Sequence, residues 1–191
     1  YQLKEEKYQY FLLFGLAFIA FLNAYQFLVY YAMAFATGIY MLDADLLFNG
    51  FSNPRFLNQF QGLLIPLVGF LSLHCWQAKK PYHRTFSVMI FITLAVQWCI
   101  ALTLGGRSLW VGLVLSYVML LLFFRQFWRL VAIQMAAIFV GGVLFYVLFY
   151  LIPDALNLSS ELRSSLRTTS SGRIELWQKA LAVYWQSPWL G

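Results

Sequence analysis

Long apolar runs separated by short polar breaks organise the chain. Five stretches are apolar enough to cross a bilayer, which takes roughly 20 such residues. They are residues 10–35, 59–76, 85–104, a shorter one at 109–124, and 130–152. Each is expected to be an α-helix, because a lone segment in lipid must satisfy its own backbone hydrogen bonds. After residue 152 the pattern changes. Residues 157–171 are rich in Ser and Thr and carry Arg163 and Arg167. Ser171 then stands as a helix N-cap ahead of Ile174, Trp177, Leu181 and Tyr184, which recur at helical spacing. That helix should stop near Ser187-Pro188, and Trp177, Trp185 and Trp189 suit packing against the membrane surface or the spans. The expected fold is all-α and polytopic. Residues 1–152 form about five transmembrane helices, and residues 153–191 form a more polar tail that includes the predicted helix.

Composition agrees with that reading. The chain is 62% hydrophobic and 10% charged, with a mean hydropathy of +0.70. A soluble domain is nearer half apolar and about a quarter charged, so the excess belongs to a surface facing lipid. The aromatic share of 20% suits residues placed at membrane–water interfaces. Cys75 and Cys99 both fall inside apolar runs and read as small buried hydrophobes rather than a metal or redox site. The chain starts at Tyr1 without a cleavable leader pattern and stops at Gly191 just after the last predicted helix, so it reads as a fragment of a longer protein.

Charge supplies orientation. One set of helix ends holds Lys4, Lys7, Lys79, Lys80, Arg84, Arg125 and Arg129; the opposite short loops hold Arg55 and Arg107, with Asp43 and Asp45. Seven cations against two is a positive-inside bias. It puts the N-terminus in the cytoplasm, and residues 36–58, 105–108 and the tail from Pro153 outside. The net charge of +6 therefore has topology and lipid headgroups to explain it, and nucleic acid is not an expected partner.

The outward polar residues are where chemistry could lie. Arg107 sits in Gly105-Gly106-Arg107-Ser108 between two spans. It reads either as an arginine snorkelling to headgroups or as an anion site. For the second reading, guanidinium geometry matches phosphate, the glycines permit close backbone approach, and a helix start favours anions. Arg173 falls in the first turn of the predicted tail helix, where a cation opposes the helix dipole unless an anion or Glu175 offsets it. Asn58, Gln59 and Gln61 enter the start of a span, where amides are costly unless paired. They either join helices or line a polar cavity that holds a substrate hydroxyl or amide. Gln97 and Gln134 within spans read as interhelical hydrogen bonds. Asp43 and Asp45 suit a solvated loop. His74 and His83 have no partner at ligand spacing, so neither a metal nor another cofactor is expected.

Three of these runs, taken in order, resemble a known family. Phe51-Ser52-Asn53-Pro54-Arg55-Phe56-Leu57-Asn58-Gln59-Phe60-Gln61, followed by Leu64-Ile65-Pro66-Leu67, is similar to the first motif of bacterial protein glycosylation ligases. These are O-oligosaccharyltransferases of the O-antigen ligase and polymerase superfamily. Gly105-Gly106-Arg107-Ser108 resembles that superfamily's Gly-Ser-Arg motif. Arg173-Ile174-Glu175-Leu176-Trp177-Gln178-Lys179-Ala180 with Ser187-Pro188-Trp189-Leu190-Gly191 resembles the start of its large periplasmic loop.

The resemblance implies a multi-pass inner-membrane glycosyltransferase of about a dozen spans, with a periplasmic His beyond Gly191. Its donor would be an oligosaccharide on undecaprenyl pyrophosphate. Its acceptor would be a Ser or Thr of an exported protein such as a pilin, a lipid A core sugar, or another glycan chain. Arg107 and Arg173 would hold the pyrophosphate and stabilise its developing charge. Arg55, Asn58, Gln59 and Gln61 would bind substrate, and no metal would be required. Within the family, an O-antigen ligase or a polysaccharide polymerase is the alternative. From another class, a transporter or flippase for an anionic lipid or solute would use the arginines as a vestibule, although the spans lack the ionisable midplane groups such a protein usually needs. A structural assembly subunit has no positive feature in its favour.

Overall fold

A computed structural model describes residues 2–37, 54–78 and 81–156. The described residues form an all-helical bundle: α1 (Gln2–Ala36), α2 (Pro54–Gln77), α3 (Pro81–Leu104), α4 (Arg107–Phe123) and α5 (Trp128–Tyr146), with no strand among them. A short 3-10 turn, Arg125–Phe127, leads into α5. A π-helical turn at Val147–Leu151 then carries α5 into α6 (Ile152–Ala155).

Four helical stretches are long and apolar enough to span a membrane: Phe11–Ala36, Phe56–Gln77, His83–Leu104 and Arg125–Ala155. The fourth predicted span is the short one, as its sequence suggested. Its 17 residues at 1.5 Å rise cover about 26 Å. Helices α1 to α4 all start before the sequence expectation, and two of these starts bear on the site. The second helix begins five residues before residue 59, because Pro54 at its start has φ pre-set for a helix and lacks only an N–H that has no helical acceptor there. Arg55 and Asn58 are therefore helical rather than in a loop. Arg107 and Ser108 likewise belong to α4. Gly105, at φ 60°, reverses the chain in a single left-handed residue, its N–H bonded to Leu102 O at 3.2 Å.

Helix α3 is the centre of the bundle. In its most apolar window 67% of residues are buried, against 28% for α1 and 22% for the stretch containing α5. Lipid offers no hydrophobic gain for bringing helices together, so small residues and buried amides must do it. At the α3–α5 crossing, a side chain on Gly141 would come within 2.5 Å of Ala95 O and 2.8 Å of Trp98 Cβ. Only hydrogen fits there. Beside it, Trp98 Nε1 donates to Gln134 Oε1 at 3.0 Å, and Gln134 Nε2 donates to Ile65 O at 2.9 Å. One amide thus joins α2, α3 and α5. Gln97 joins α3 to α1 in the same manner, donating to Ala20 O at 2.9 Å and Asn23 Oδ1 at 3.1 Å. Both residues serve as the interhelical bonds their positions predicted. Cys75 and Cys99 are buried among apolar neighbours, also as expected.

The π turn has a covalent cause. Pro153 has no N–H and would crowd the carbonyl four residues back, so the regular ladder cannot continue through it. The ladder slips one residue: the Ile152 N–H bonds Val147 O, five residues earlier. That leaves the Leu148 carbonyl without Ile152, and Pro153 cannot replace it. The Tyr31 hydroxyl on α1 donates to Leu148 O instead. This contact ties the ends of α1 and α5 together. Contacts between Asn58 and Gly106 put the starts of α2 and α4 together, and α4 follows the end of α3 at once. At the opposite end, Phe14 of α1 meets Phe86 of α3 with ring centroids 5.6 Å apart, and Ser87 Oγ of α3 donates to Ser72 O of α2 at 2.7 Å.

Candidate functional site

Helices α2 and α4 start side by side, and their first turns line a cavity of about 400 Å³. From α2 it takes Asn58, Gln59 and Gly62; from α4 it takes Ser108, Leu109, Gly112, Leu113 and Ser116. The geometry follows from helical spacing. Asn58 and Gly62 are four residues apart, and Ser108, Gly112 and Ser116 repeat every four, so each set forms one stripe along its helix. Both stripes are small or polar where the rest of the surface is apolar. Room is left because Gly112 has nothing within 4 Å of where a Cβ would be.

Three features give the cavity hydrogen-bonding capacity. The α4 N-terminus has Gly106 as its N-cap, with no side-chain capping bond. The first amides of the helix, at Arg107, Ser108 and Leu109, precede any intrahelical acceptor, and the ladder starts with Trp110 N–H to Gly106 O at 3.2 Å. Asn58 lies against this turn: a Cβ on Gly106 would meet its amide atoms at 2.6–2.7 Å. The Asn58 Oδ1 is buried and, among the described residues, accepts no bond. Finally, Pro66 inside α2 supplies no N–H to the Gly62 carbonyl, which lacks its i+4 donor beside the cavity. Amide donors at a helix start suit an anion, and nearby carbonyl acceptors suit hydroxyl or amide hydrogens.

The structure distributes the sequence-predicted residues unevenly. Asn58 and Gln59 line the cavity. Arg107 is the first residue of α4 and Arg55 lies in the first turn of α2; for both, the description covers the backbone. Gln61 turns elsewhere. It is fully buried, and its Nε2 donates to Gln97 O at 3.4 Å and to Gln97 Oε1 at 3.3 Å. Of its two predicted uses, this geometry is the helix-joining one. Arg173, the predicted tail helix with its Trp residues, and the Asp43 and Asp45 loop lie outside the described residues. Sequence reasoning passed over Gly62, Gly112 and Ser116, and treated Ser108 only as part of a motif. The four-residue repeat of small and polar residues in α4 was the available signal.

A multi-pass membrane protein with a polar cavity at one end of its helices is the class that fold and site define. Residues 87–191, over half of the chain, match the O-antigen ligase family. The chain belongs to that family, whose members are ligase-type glycosyltransferases. No curated protein and no solved structure gives a significant match. The match begins within α3 and takes in all of α4, so the Gly105-Gly106-Arg107-Ser108 turn and one wall of the cavity fall inside it. Family and apolar helices together make this a bacterial multi-pass membrane protein acting on a lipid-linked glycan.

Proposed function

We propose that the chain contributes the donor site of an enzyme that moves an oligosaccharide from undecaprenyl pyrophosphate to an acceptor hydroxyl on the periplasmic face of the inner membrane. The acceptor is a Ser or Thr of an exported protein. In this reading the N-terminus is cytoplasmic, and the cavity end of the bundle faces out with residues 153–191. The bond between the first sugar and its phosphate oxygen breaks, and the acceptor oxygen forms the new glycosidic bond. The hydroxyl proton passes to a base, and undecaprenyl pyrophosphate leaves. Arg107 and the α4 amides hold the pyrophosphate and stabilise the charge it gains, with Arg173 completing the anion site. Asn58 and Gln59 receive sugar hydroxyl or amide hydrogens beside it, and Arg55 sits at the rim.

The observation that carries this reading is the uncapped start of α4, with Arg107 as its first residue, opening beside a cavity whose Asn58 Oδ1 has no partner among the described residues. The test is the intact mass of an exported acceptor protein from cells that make the lipid-linked glycan and express the complete gene. A glycan-sized gain that disappears in Arg107→Ala is expected. A gain that survives Arg107→Ala removes Arg107 from the donor site. Glycan found on lipid A core, with none on protein, moves the acceptor to the O-antigen ligase branch.

A further inference from the structure

At the end of the bundle away from the candidate site, a second cavity of about 250 Å³ opens between α2, α3 and α5. Ser72, Trp76, Ser87, Val88, Phe91 and Ile133 line it. The two serines do not make it polar, since they satisfy each other: Ser87 Oγ donates to Ser72 O at 2.7 Å and Ser72 Oγ to Ser87 O at 3.3 Å. What remains exposed is hydrocarbon, namely Val88, 47% exposed, and the Trp76 ring, 57% exposed. The slot therefore suits a lipid tail.

Its rim is cationic on two sides. Arg84 lies three residues before Ser87 and four before Val88 on α3, one turn nearer the helix end on the same face. Arg129 lies four residues before Ile133 on α5, in the same relation. Both are exposed. Arg129 rests over the Trp128 ring, 5.7 Å from its centroid, a placement common at the headgroup level. Two arginines on different helices thus each lie one turn beyond a residue that lines the slot. Among the described residues, the other acidic side chains and the other Lys and Arg at this end belong to Lys4, Glu5, Glu6 and Lys7 in the first turns of α1, together with Arg125. Helix α1 packs on the far face of α3, where Phe86, Met89, Ile90 and Thr93 line a separate groove with Phe14 and Ala17.

We infer that this slot is a binding site for an anionic diacyl phospholipid, with its phosphate between Arg84 and Arg129 and an acyl chain along Trp76, Val88 and Phe91. Charge complementarity selects the occupant. A zwitterionic lipid offers the arginines a phosphate neutralised by its own ammonium, whereas an anionic lipid gains roughly 1 kcal/mol per cation near its headgroup.

The test measures phospholipid retained by the protein, using native mass spectrometry after reconstitution in dioleoylphosphatidylcholine bilayers with and without dioleoylphosphatidylglycerol. The wild type should retain phosphatidylglycerol in preference to phosphatidylcholine. Arg84→Gln with Arg129→Gln should weaken that retention about tenfold or more. Val88→Trp, which fills the slot from a lipid-exposed position, should weaken it with every charge in place. Lys4→Gln with Lys7→Gln removes the same charge from α1 and should leave retention unchanged. Equal loss in the lysine and arginine pairs would overturn the site in favour of diffuse attraction, and so would retention that ignores headgroup charge.

Discussion

Two seams in this bundle use the same residue types to opposite ends. Where α3 meets α5, Gly141 lets the backbones touch, and the Gln134 side chain bonds on both sides, to Trp98 and to Ile65. Where α2 meets α4, Gly112 stands beside open space, a Cβ on Gly62 would lie 3.4 Å from Leu109, and the Asn58 carbonyl oxygen has no partner among the described residues. Glycine with a satisfied amide makes a rigid joint. Glycine with an unsatisfied amide makes room and a demand. In a membrane an unmet polar group is expensive, and Asn58 carries that cost at the edge of a cavity.

The comparison can be broken by substitution. The largest effect is expected at Gly141. An Ala there would push its methyl against the Ala95 carbonyl and Trp98, and overpacking of this kind costs about 2–3 kcal/mol. Thermal unfolding in detergent should show it, while Gly112→Ala, whose methyl meets nothing within 4 Å, should unfold with the wild type. Equal losses would mean the two seams do not differ. Next comes Gln134→Leu, which strands the Trp98 indole N–H and removes the second bond to the Ile65 carbonyl. A loss of about 1–2 kcal/mol, the range for polar contacts between membrane helices, is expected in the same assay. Tyr31→Phe removes the one side-chain donor to the Leu148 carbonyl described here. It should cost about 1 kcal/mol and speed proteolysis of the chain beyond Ala155; an unchanged digestion pattern would mean the π turn holds without it. The smallest stability change belongs to Asn58→Ala, within about 0.5 kcal/mol, because its carbonyl makes no internal bond to lose. Glycan transfer is the sharper measure there. A tenfold fall, about 1.4 kcal/mol of transition-state binding, is expected, and full activity would remove Asn58 from the site.

Much of the fold was legible because hydropathy and helix length are tied in a membrane. The same physics made Gln97 and Gln134 readable as interhelical bonds: an amide deep in an apolar run has few other uses. Helix starts were less legible. Pro54 fell in the loop expected before residue 59, yet it begins a helix, and of the two glycines read as permitting close backbone approach, Gly105 alone has a positive φ and turns the chain. The π turn was hidden because Pro153 fell at the expected end of a span, where a proline usually just closes a helix. For the candidate site, Asn58 and Gln59 were found by polarity, but polarity alone could not separate them from Gln61. All three are amides on one helix turn, and only the direction each faces distinguishes a cavity wall from a joint between helices. The opposite wall is made of Ser and Gly, whose contribution is the volume they leave empty.

The short α4 has a consequence for the bilayer itself. Its helical length of about 26 Å falls about 4 Å below a typical hydrocarbon thickness of about 30 Å. Its outer flank, including Val111, Leu115 and Leu122, is exposed. Lipid beside it must thin to match, at a cost of fractions of a kcal/mol per Å. Thinning draws the headgroup plane down toward the start of the helix along this one side. A substrate anchored by a lipid tail would then reach the cavity by lateral diffusion, with less of its polar portion lifted out of the headgroup layer than elsewhere around the bundle.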